Sequence, residues 1–543
     1  MKLFKSLISI SLFILSGCNI VLPNNTPSSN LNSSTPSISN SSTSISTSTS
    51  SSLISTNSSS SSSTSSSTKI EESSKEEIII EDFGGYYKPN KQTLSHKKMR
   101  ESYIYKDDLP SKGDSKIIVI PVKFKDSNYA LEVGGYDKVR EDINKAFFGK
   151  DEETGWESLK SYYQKSSYGN LNISGVVTDW FELDKTFYEV DSIPFEEYYD
   201  PSTYVLREAG RWYQETYGDA DEYDLDDDGF IDSIWLVYDY EAVHNYNIDW
   251  AYVYWDFARH EVGTVENPIP YTYAWAGISF LYTGGYKDEN NEPLVDAHTF
   301  IHETGHLLGL QDYYDYNHQH SYSGGLDMMD LNIGDHTGLT KYMLDWTSPY
   351  VVKKNCEITI RSFEESGDLI LVKKDWNGSS MDEYLLIELY TPTGLNEKDS
   401  KENYGNKYPK LFQEVGVKIY HVDARLGYYE NGVFRGYTDE IISSGAGHVQ
   451  STQLAHSNTA NRSVNPKFAY YKLIEKGDAN KLDKGNVYAT NDTLFKAGDV
   501  FDPEQFNRTF INDGKYNDGE RLGFIITVKS IENNQATIEF IRA

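Results

Sequence analysis

The chain has 543 residues, more than one hydrophobic core usually serves and enough for two or three domains. Hydrophobic residues make up 38% of the sequence and aromatic residues 14%, so a sizeable core can form. The formal net charge of −32 disfavours nucleic acid as a partner, because holding a phosphate backbone needs a basic surface, and it suits an extracellular protein that binds cations.

The N-terminus has the form of a bacterial export signal. Lys2 and Lys5 are followed by an apolar stretch that is too short for a permanent transmembrane helix. The stretch ends in "LSGC", which resembles the lipobox of bacterial lipoproteins. Residues 1–18 are therefore predicted to be a lipoprotein signal peptide, and Cys18 the lipid anchor on the extracellular face of the membrane, from which the protein can be shed. An ordinary signal peptide with a chance cysteine is the alternative.

A low-complexity segment follows the predicted anchor. Residues 19–80 consist largely of Ser and Thr, cannot bury enough surface to fold, and are predicted to form a flexible tether. Residues 81–110 are charged and mixed, so both a linker and a short pro-segment remain open.

Ordered structure is predicted from about residue 111. The stretches "KIIVIPVKFKD", "LNISGVV" and "FIDSIWLVYDY" have the pattern of strands, and residues 295–310 have helical spacing. These elements predict an α+β domain over residues 111–350. Short runs rich in Ile, Val, Tyr and Thr alternate with turn residues further on, so residues 351–543 are predicted to form a β-rich, sandwich-like domain.

The stretch "HETGHLLGLQD" carries the strongest chemical signal. On a helix, His302 and His306 share a face, so both imidazoles can bind one zinc ion. Glu303 can reach a water molecule on that ion and take its proton while the water attacks a peptide carbonyl.

A catalytic zinc site needs a third protein ligand. A Glu from a later helix is disfavoured, because the next Glu in the sequence is Glu357. Gly309 permits the left-handed turn that ends a helix, and such a turn brings Asp312 back towards the metal. Asp312 is therefore the predicted third ligand. The rival ligands are the nearby His and Asp residues: Asp315, His318, His320 and His336.

Other residues around the motif are less specific. His298 lies one turn before His302 and is interpreted as a packed or hydrogen-bonding neighbour rather than a ligand. Met328 and Met329 follow two glycines that allow a tight turn; two ordinary core residues are the alternative. The sequence does not select the tyrosine that would stabilise an oxyanion. The candidates lie close to the motif: Tyr313, Tyr314, Tyr316 and Tyr322.

Together with this motif, three segments resemble the M6 family of metallopeptidases, whose best-known members are the immune inhibitor A proteases of bacilli. The segments are "SYYQKSSYGNLNISG", "YDLDDDGFIDSIWLVY" and "GGLDMMDLNIGDHTGLTKYMLDW". The resemblance covers residues 116–350 well and extends weakly beyond them. It implies a zincin fold of the metzincin type and a secreted zinc endopeptidase.

By motif position, the resemblance assigns zinc to three residues: His302, His306 and Asp312. It also implies that Glu303 is the base and that Met329 is the methionine of the turn. Gln311 stands where the family pattern leads us to expect Pro, a difference that loosens the turn but removes no ligand.

An acidic loop predicts a second cation site. In "DLDDDGFID", carboxylates have the early spacing of a calcium loop: Asp224, Asp226, Asp228 and Asp232. Trp235 stands where an EF-hand has Glu, and a strand follows, so the loop is not an EF-hand. An acidic surface turn is the alternative; repulsion among the carboxylates favours a structural calcium ion.

The sequence thus predicts a lipid-anchored zinc endopeptidase that acts on protein or peptide substrates. The alternative is a surface adhesin with a structural metalloprotease-like domain, and the intact Glu303 disfavours it. A zinc amidase of the cell wall is a third hypothesis, disfavoured by the extended motif. Neither the physiological substrate nor the oligomeric state follows from the sequence.

Overall fold

The computed structural model describes most of the chain beyond the predicted tether. The described residues are 80–89, 92–101, 109–195, 200–243, 245–257, 261–331, 333–406, 408–442, 450–459, 464–465 and 467–543. The predicted signal peptide, Cys18 and nearly all of the predicted tether lie outside these ranges. Among the described helices, none has the length and apolar character needed to cross a membrane.

The secondary structure is mixed, with many sheets and few helices, and it is compatible with the predicted α+β class. The α-helices are α1 (His96–Glu101), α2 (Tyr129–Glu132), α3 (Tyr136–Phe148), α4 (Leu159–Ser166), α5 (Phe187–Asp191), α6 (Pro201–Tyr217), α7 (His298–Leu307), α8 (Gly338–Met343), α9 (Phe363–Ser366) and α10 (Glu397–Lys401). The β-strands are β1 (Ile80–Asp82), β2 (Tyr86–Pro89), β3 (Gly113–Lys123), β4 (Leu171–Val177), β5 (Phe181–Glu182), β6 (Phe230–Ile231), β7 (Ile234–Tyr238), β8 (Tyr252–Trp255), β9 (Ile269–Pro270), β10 (Thr272–Gly277), β11 (Tyr350–Val352), β12 (Cys356–Arg361), β13 (Ile370–Val372), β14 (Glu383–Tyr390), β15 (Gly416–Asp423), β16 (Leu426–Glu430), β17 (Val433–Thr438), β18 (Gln450–Leu454), β19 (Tyr471–Leu473), β20 (Val500–Phe501), β21 (Phe524–Glu532) and β22 (Gln535–Arg542).

A mostly parallel sheet supports the helix that carries the metal motif. Its order is β4-β3-β7-β10-β8, with β5 paired to β3, and only β8 runs antiparallel to its neighbour. Strand β3 is buried on both faces, which explains its continuous apolar run. Ile117 and Val119 face the cluster that contains α7, whereas Ile118 and Ile120 face the cluster that contains α6.

Helix α7 is held between this sheet and helix α4. Phe300 and Ile301 of α7 belong to the same hydrophobic cluster as Trp235 of β7. The Trp235 indole Nε1 donates a hydrogen bond to Thr304 Oγ1 at 3.2 Å. From the other side, the Tyr163 hydroxyl donates to the Ile301 carbonyl at 2.7 Å. The motif helix is therefore anchored in the core by both apolar and polar contacts.

Two further sheets dominate the C-terminal part. One has the order β1-β2-β11-β13-β14-β15-β19, the other β12-β22-β21-β20, and both contribute to one apolar cluster. Strands β1 and β2 come from the segment for which a linker and a pro-segment remained open. Strand β2 pairs with β11 through Tyr87 and Val351, so part of that segment belongs to the folded sheet.

The C-terminal strands pack directly against the region that carries the metal motif. One hydrophobic cluster contains Leu339 and Tyr342 of α8 together with Tyr384 and Leu386 of β14. The Glu388 carboxylate of β14 also accepts a hydrogen bond from the Gly338 backbone N–H at 2.7 Å. These contacts bring segments from both sides of residue 350 close to the motif helix.

Candidate metal centre

Helix α7 places the motif residues in the protein interior. Near its first turn, the Asp296 carboxylate accepts a hydrogen bond from the His298 backbone N–H at 2.9 Å, which satisfies one of the otherwise unpaired donors of a helix start. His302, Glu303 and His306 are all buried. The two imidazole rings lie one turn apart, with ring centroids separated by 5.1 Å.

Gly309 ends the helix in the predicted left-handed conformation, with φ of 87°. The Leu310 N–H donates to the Gly305 carbonyl at 3.0 Å and closes the turn. The chain reversal brings Asp312 Oδ1 to 3.1 Å from His302 Nε2 and 3.4 Å from His306 Nε2. One atom from each of the three residues lies within 4.8 Å of the others, which is the grouping that the motif spacing predicted.

In His302, His306 and Asp312, the polar side-chain atom that points away from the centre of the cluster has its own hydrogen-bond partner. His302 Nδ1 lies 2.7 Å from the Met328 carbonyl, and His306 Nδ1 lies 2.9 Å from the Leu310 carbonyl. Both Nδ1 atoms can therefore donate, which leaves both Nε2 lone pairs for a metal. The Tyr316 hydroxyl donates to Asp312 Oδ2 at 2.7 Å, so Oδ1 is the oxygen that faces the imidazoles.

Positive charge on the two imidazoles compensates the Asp312 carboxylate in this cluster. Burial lowers the pKa of both imidazoles, but Asp312 more than offsets this effect: the pKa of His302 is raised, and that of His306 is raised to about 9. Burial also raises the pKa of the Asp312 carboxyl, yet the two histidines hold it well below its usual range. A metal ion can supply the positive charge that protons supply in its absence.

This donor set fits zinc. Two imidazole nitrogens and one carboxylate oxygen are acceptable zinc ligands, and three protein ligands leave a position open for catalysis. His306 Nε2 is buried and has no hydrogen-bond partner among the described residues, as expected for an atom reserved for a metal.

The rival ligands do not join the cluster in the described part of the chain. His336 Nδ1 lies 2.9 Å from Asp327 Oδ1, and the Asp315 carboxylate accepts from the Asn317 N–H at 2.9 Å. His320 Nδ1 lies 2.9 Å from a backbone carbonyl. The His298 ring packs 4.6 Å from the ring of Tyr404, which agrees with its interpretation as a packed neighbour.

Met329 packs against the motif helix between the two histidines. A Cβ atom added at Gly305 would lie 2.3 Å from Met329 Sδ, so this contact requires glycine. The Met329 carbonyl accepts a hydrogen bond from the Tyr313 N–H at 2.9 Å. The assignment of Met329 as the methionine of the turn stays a prediction from the resemblance.

An open cleft of about 460 Å³ lies beside His302 and Glu303. Aromatic side chains form much of its lining: Tyr129, Trp250, Phe280, Tyr282, Tyr314, Tyr404 and Tyr408. Tyr404 and Tyr408 come from the C-terminal part of the chain, beyond α10. Sequence reasoning missed these residues and Glu241, which also lines the cleft, because no local pattern marks them.

The four candidate tyrosines have different surroundings. Tyr314 lines the cleft. The Tyr313 hydroxyl lies 2.8 Å from Thr340 Oγ1, and the Tyr322 ring stacks on His320 at 4.8 Å. Since Tyr316 binds Asp312, Tyr314 is the candidate that faces the space open to a substrate.

The structure groups three of the four predicted calcium ligands. Asp224, Asp226 and Asp232 each offer an oxygen within 4.8 Å of the others; Asp226 is exposed and the other two are buried. Asp228 lies outside this group, and its Oδ1 accepts from the Phe230 N–H at 3.0 Å. Burial raises the pKa of Asp232 to about 9, and the neighbouring carboxylates add to the effect.

Comparison of the chain with protein-family models and with curated proteins finds no match. The resemblance to the M6 family therefore stays a prediction from the motifs.

Proposed function

We propose that the protein is a zinc endopeptidase that hydrolyses peptide bonds of extracellular proteins while anchored to the membrane through Cys18. One observation carries the proposal: His302, His306 and Asp312 converge at one point, next to Glu303 and at the wall of an open cleft. A metzincin-like catalytic domain and a sandwich-like C-terminal domain are part of the same proposal.

In the proposed peptide hydrolysis, bound zinc and the side chains of the protein would have different roles. Bound zinc would supply a Lewis acid that polarises a carbonyl and lowers the pKa of water. Glu303 lines the cleft, where its carboxylate can take a proton from the attacking water and return it to the leaving amine. The Tyr314 hydroxyl lines the same cleft and can donate to the negative charge that develops on the carbonyl oxygen.

The acidic loop has a separate, structural role in this proposal. Asp224, Asp226 and Asp232 would bind calcium between the end of α6 and strand β7. Such an ion would offset the repulsion among the carboxylates. It would also hold in place the loop that leads into strand β7 of the central sheet.

Glu303→Gln in the full-length, detergent-solubilised chain tests the proposed activity. We expect the variant to keep the zinc content of the parent and to lose about 10²- to 10⁴-fold in kcat on casein or a quenched fluorescent peptide, because only the base is removed. Glu357→Gln is the matched control, since Glu357 is exposed and does not line the cleft. A parent that binds zinc but cleaves no protein or peptide would reject the peptidase proposal and favour a binding protein.

A further inference from the structure

We infer that the cleft selects substrates that carry a Lys or Arg side chain next to the scissile bond, held by aromatic rings and by Glu241. This inference rests on the proposed peptidase function and specifies its substrate class.

In the described part of the chain, the cleft lining contains no Lys or Arg, and its carboxyl groups belong to Glu241, Glu303 and Asp330. Glu303 has the proposed catalytic role. The Asp330 carboxylate accepts hydrogen bonds from the Ser323 hydroxyl and the Gly325 N–H, so it is used within the protein. Glu241 is exposed and forms no ion pair among the described residues. It is therefore the carboxylate that the cleft presents to a ligand.

Aromatic rings line the same cleft as Glu241. The rings of Trp250 and Phe280 meet edge to face, with centroids 5.2 Å apart. Tyr129 lies close to Glu241: after burial, the charge of Glu241 is the next cause that raises the pKa of Tyr129. Aromatic faces attract ammonium and guanidinium groups, and the long apolar stems of Lys and Arg pack well on such walls.

The protein already holds one of its own cations against a ring of this cleft. Lys138 Nζ lies 5.2 Å from the centroid of the Tyr282 ring, which lines the cleft. The charge of Lys138 is compensated by Asp142, whose Oδ2 is 2.5 Å from Nζ. Lys138 therefore has its charge compensated by Asp142 rather than by Glu241, and the contact shows that the Tyr282 ring accepts an ammonium group.

The charge of Glu241 favours a basic substrate side chain over the apolar and acidic side chains that could also enter the cleft. An apolar side chain can pack on the rings but gains nothing from Glu241. An acidic side chain would meet like charge at Glu241 and is disfavoured. Because Glu241 is exposed, the advantage of a basic side chain is modest, on the order of threefold to tenfold in kcat/KM.

A peptide series tests the inference with the zinc-loaded, full-length chain. The peptides differ at one position flanking the scissile bond, in one series on each side, and carry Arg, citrulline, Leu or Glu there. Citrulline keeps the shape of arginine without its charge. We expect the Arg peptide to exceed the citrulline peptide in kcat/KM by roughly threefold to tenfold in one of the two series, and the Glu peptide to be the poorest.

Two variants assign the preference to Glu241. Glu241→Gln is expected to bring the ratio of kcat/KM for the Arg peptide to kcat/KM for the citrulline peptide close to one. Glu241→Lys is expected to reverse the order of the Arg and Glu peptides. Glu532→Lys is the matched control, because it changes the net charge equally from an exposed position outside the cleft.

The possible results are distinct. Equal kcat/KM for Arg and citrulline in both series would overturn the inference and leave the peptidase function intact. An Arg preference that Glu241→Lys and Glu532→Lys reduce equally would assign the preference to the overall charge and overturn the role of Glu241. Failure to cleave any peptide or protein would overturn the proposed function and the inference with it.

Discussion

Two groups of possible metal ligands lie in the described part of the chain: the His302–His306–Asp312 cluster and the loop of Asp224, Asp226 and Asp232. In the His302–His306–Asp312 cluster, two imidazoles surround one carboxylate, and they hold the pKa of Asp312 well below its usual range. In the acidic loop, burial and neighbouring carboxylates raise the pKa of Asp232 to about 9. Two buried aspartates therefore have opposite pKa shifts, because one has cationic neighbours and the other has anionic ones.

Under the proposed function, the two clusters would bind different metals and have different roles. In the first cluster, the polar atoms that point away from the centre are held by Met328, Leu310 and Tyr316. These contacts would fix the ligand geometry that the proposed catalysis requires. The loop offers only carboxylate oxygens, one of them on an exposed residue, and such a set suits a hard cation with a structural role.

Tyr316→Phe is the sharpest test of the difference in geometry. Without the hydroxyl, Asp312 loses the hydrogen bond that orients its carboxylate, and we expect zinc affinity to fall by about 10- to 100-fold. The affinity can be measured by competition with a chelator. Tyr322→Phe is the control, because its ring stacks on His320 away from the cluster. An unchanged affinity in Tyr316→Phe would show that the hydrogen bond does not position the ligand.

Calcium is expected to stabilise the protein through the acidic loop alone. Millimolar Ca²⁺ should raise the melting temperature by roughly 2–5 °C, because the ion binds the folded loop and offsets its repulsion. Asp224→Asn should abolish this shift, whereas Asp228→Asn should retain it, since Asp228 lies outside the grouped oxygens. Equal melting temperatures with and without calcium would identify the loop as an acidic turn.

Asp330 is another buried carboxyl group, and it has no cationic partner among the described residues. Burial raises the pKa of Asp330 from 3.8 to about 7. The folded state therefore keeps a proton that the unfolded state loses, so the stabilising contribution is complete below pH 3.8 and is lost as the pH rises through 7.

The expected consequence is a pH-dependent free energy of unfolding. Over that interval, this group should lower the free energy of unfolding by at most about 1.4 kcal/mol per pH unit. Asp330→Asn should flatten the decline measured by denaturant titration at pH 5, 6 and 7. Asp288→Asn should not, because the pKa of this exposed residue is lowered and it stays ionised throughout. Parallel curves for Asp330→Asn and the parent would contradict the assignment.

The grouping of His302, His306 and Asp312 could be predicted because its geometry is local. Helical spacing joins His302 to His306, and the left-handed turn at Gly309 returns Asp312 to them within a few residues. Tyr316 is just as close in sequence, yet four tyrosines near the motif look alike before their contacts are known. The loop spacing also suggested Asp228, because spacing alone does not distinguish a metal ligand from a carboxylate that caps a backbone N–H.

The cleft and the sheet pairing depend on contacts between distant segments. Glu241 and Tyr404 line one cleft although they are far apart in the sequence. In the same way, Tyr87 of β2 pairs with Val351 of β11. No periodic pattern encodes such pairings, whereas the strands themselves follow from local apolar runs such as that of β3.

Zinc binding by Asp312→Ala, measured beside Asp315→Ala in the full-length chain, tests most directly whether Asp312 completes a three-residue metal site. Asp315 is a suitable control because it is also buried and near the motif but accepts backbone hydrogen bonds outside the cluster. Circular dichroism checks that both variants are folded. We predict that the parent binds about one zinc, that Asp312→Ala loses at least about 100-fold in affinity, and that Asp315→Ala binds like the parent. Parent-like zinc affinity in a folded Asp312→Ala variant would contradict the site.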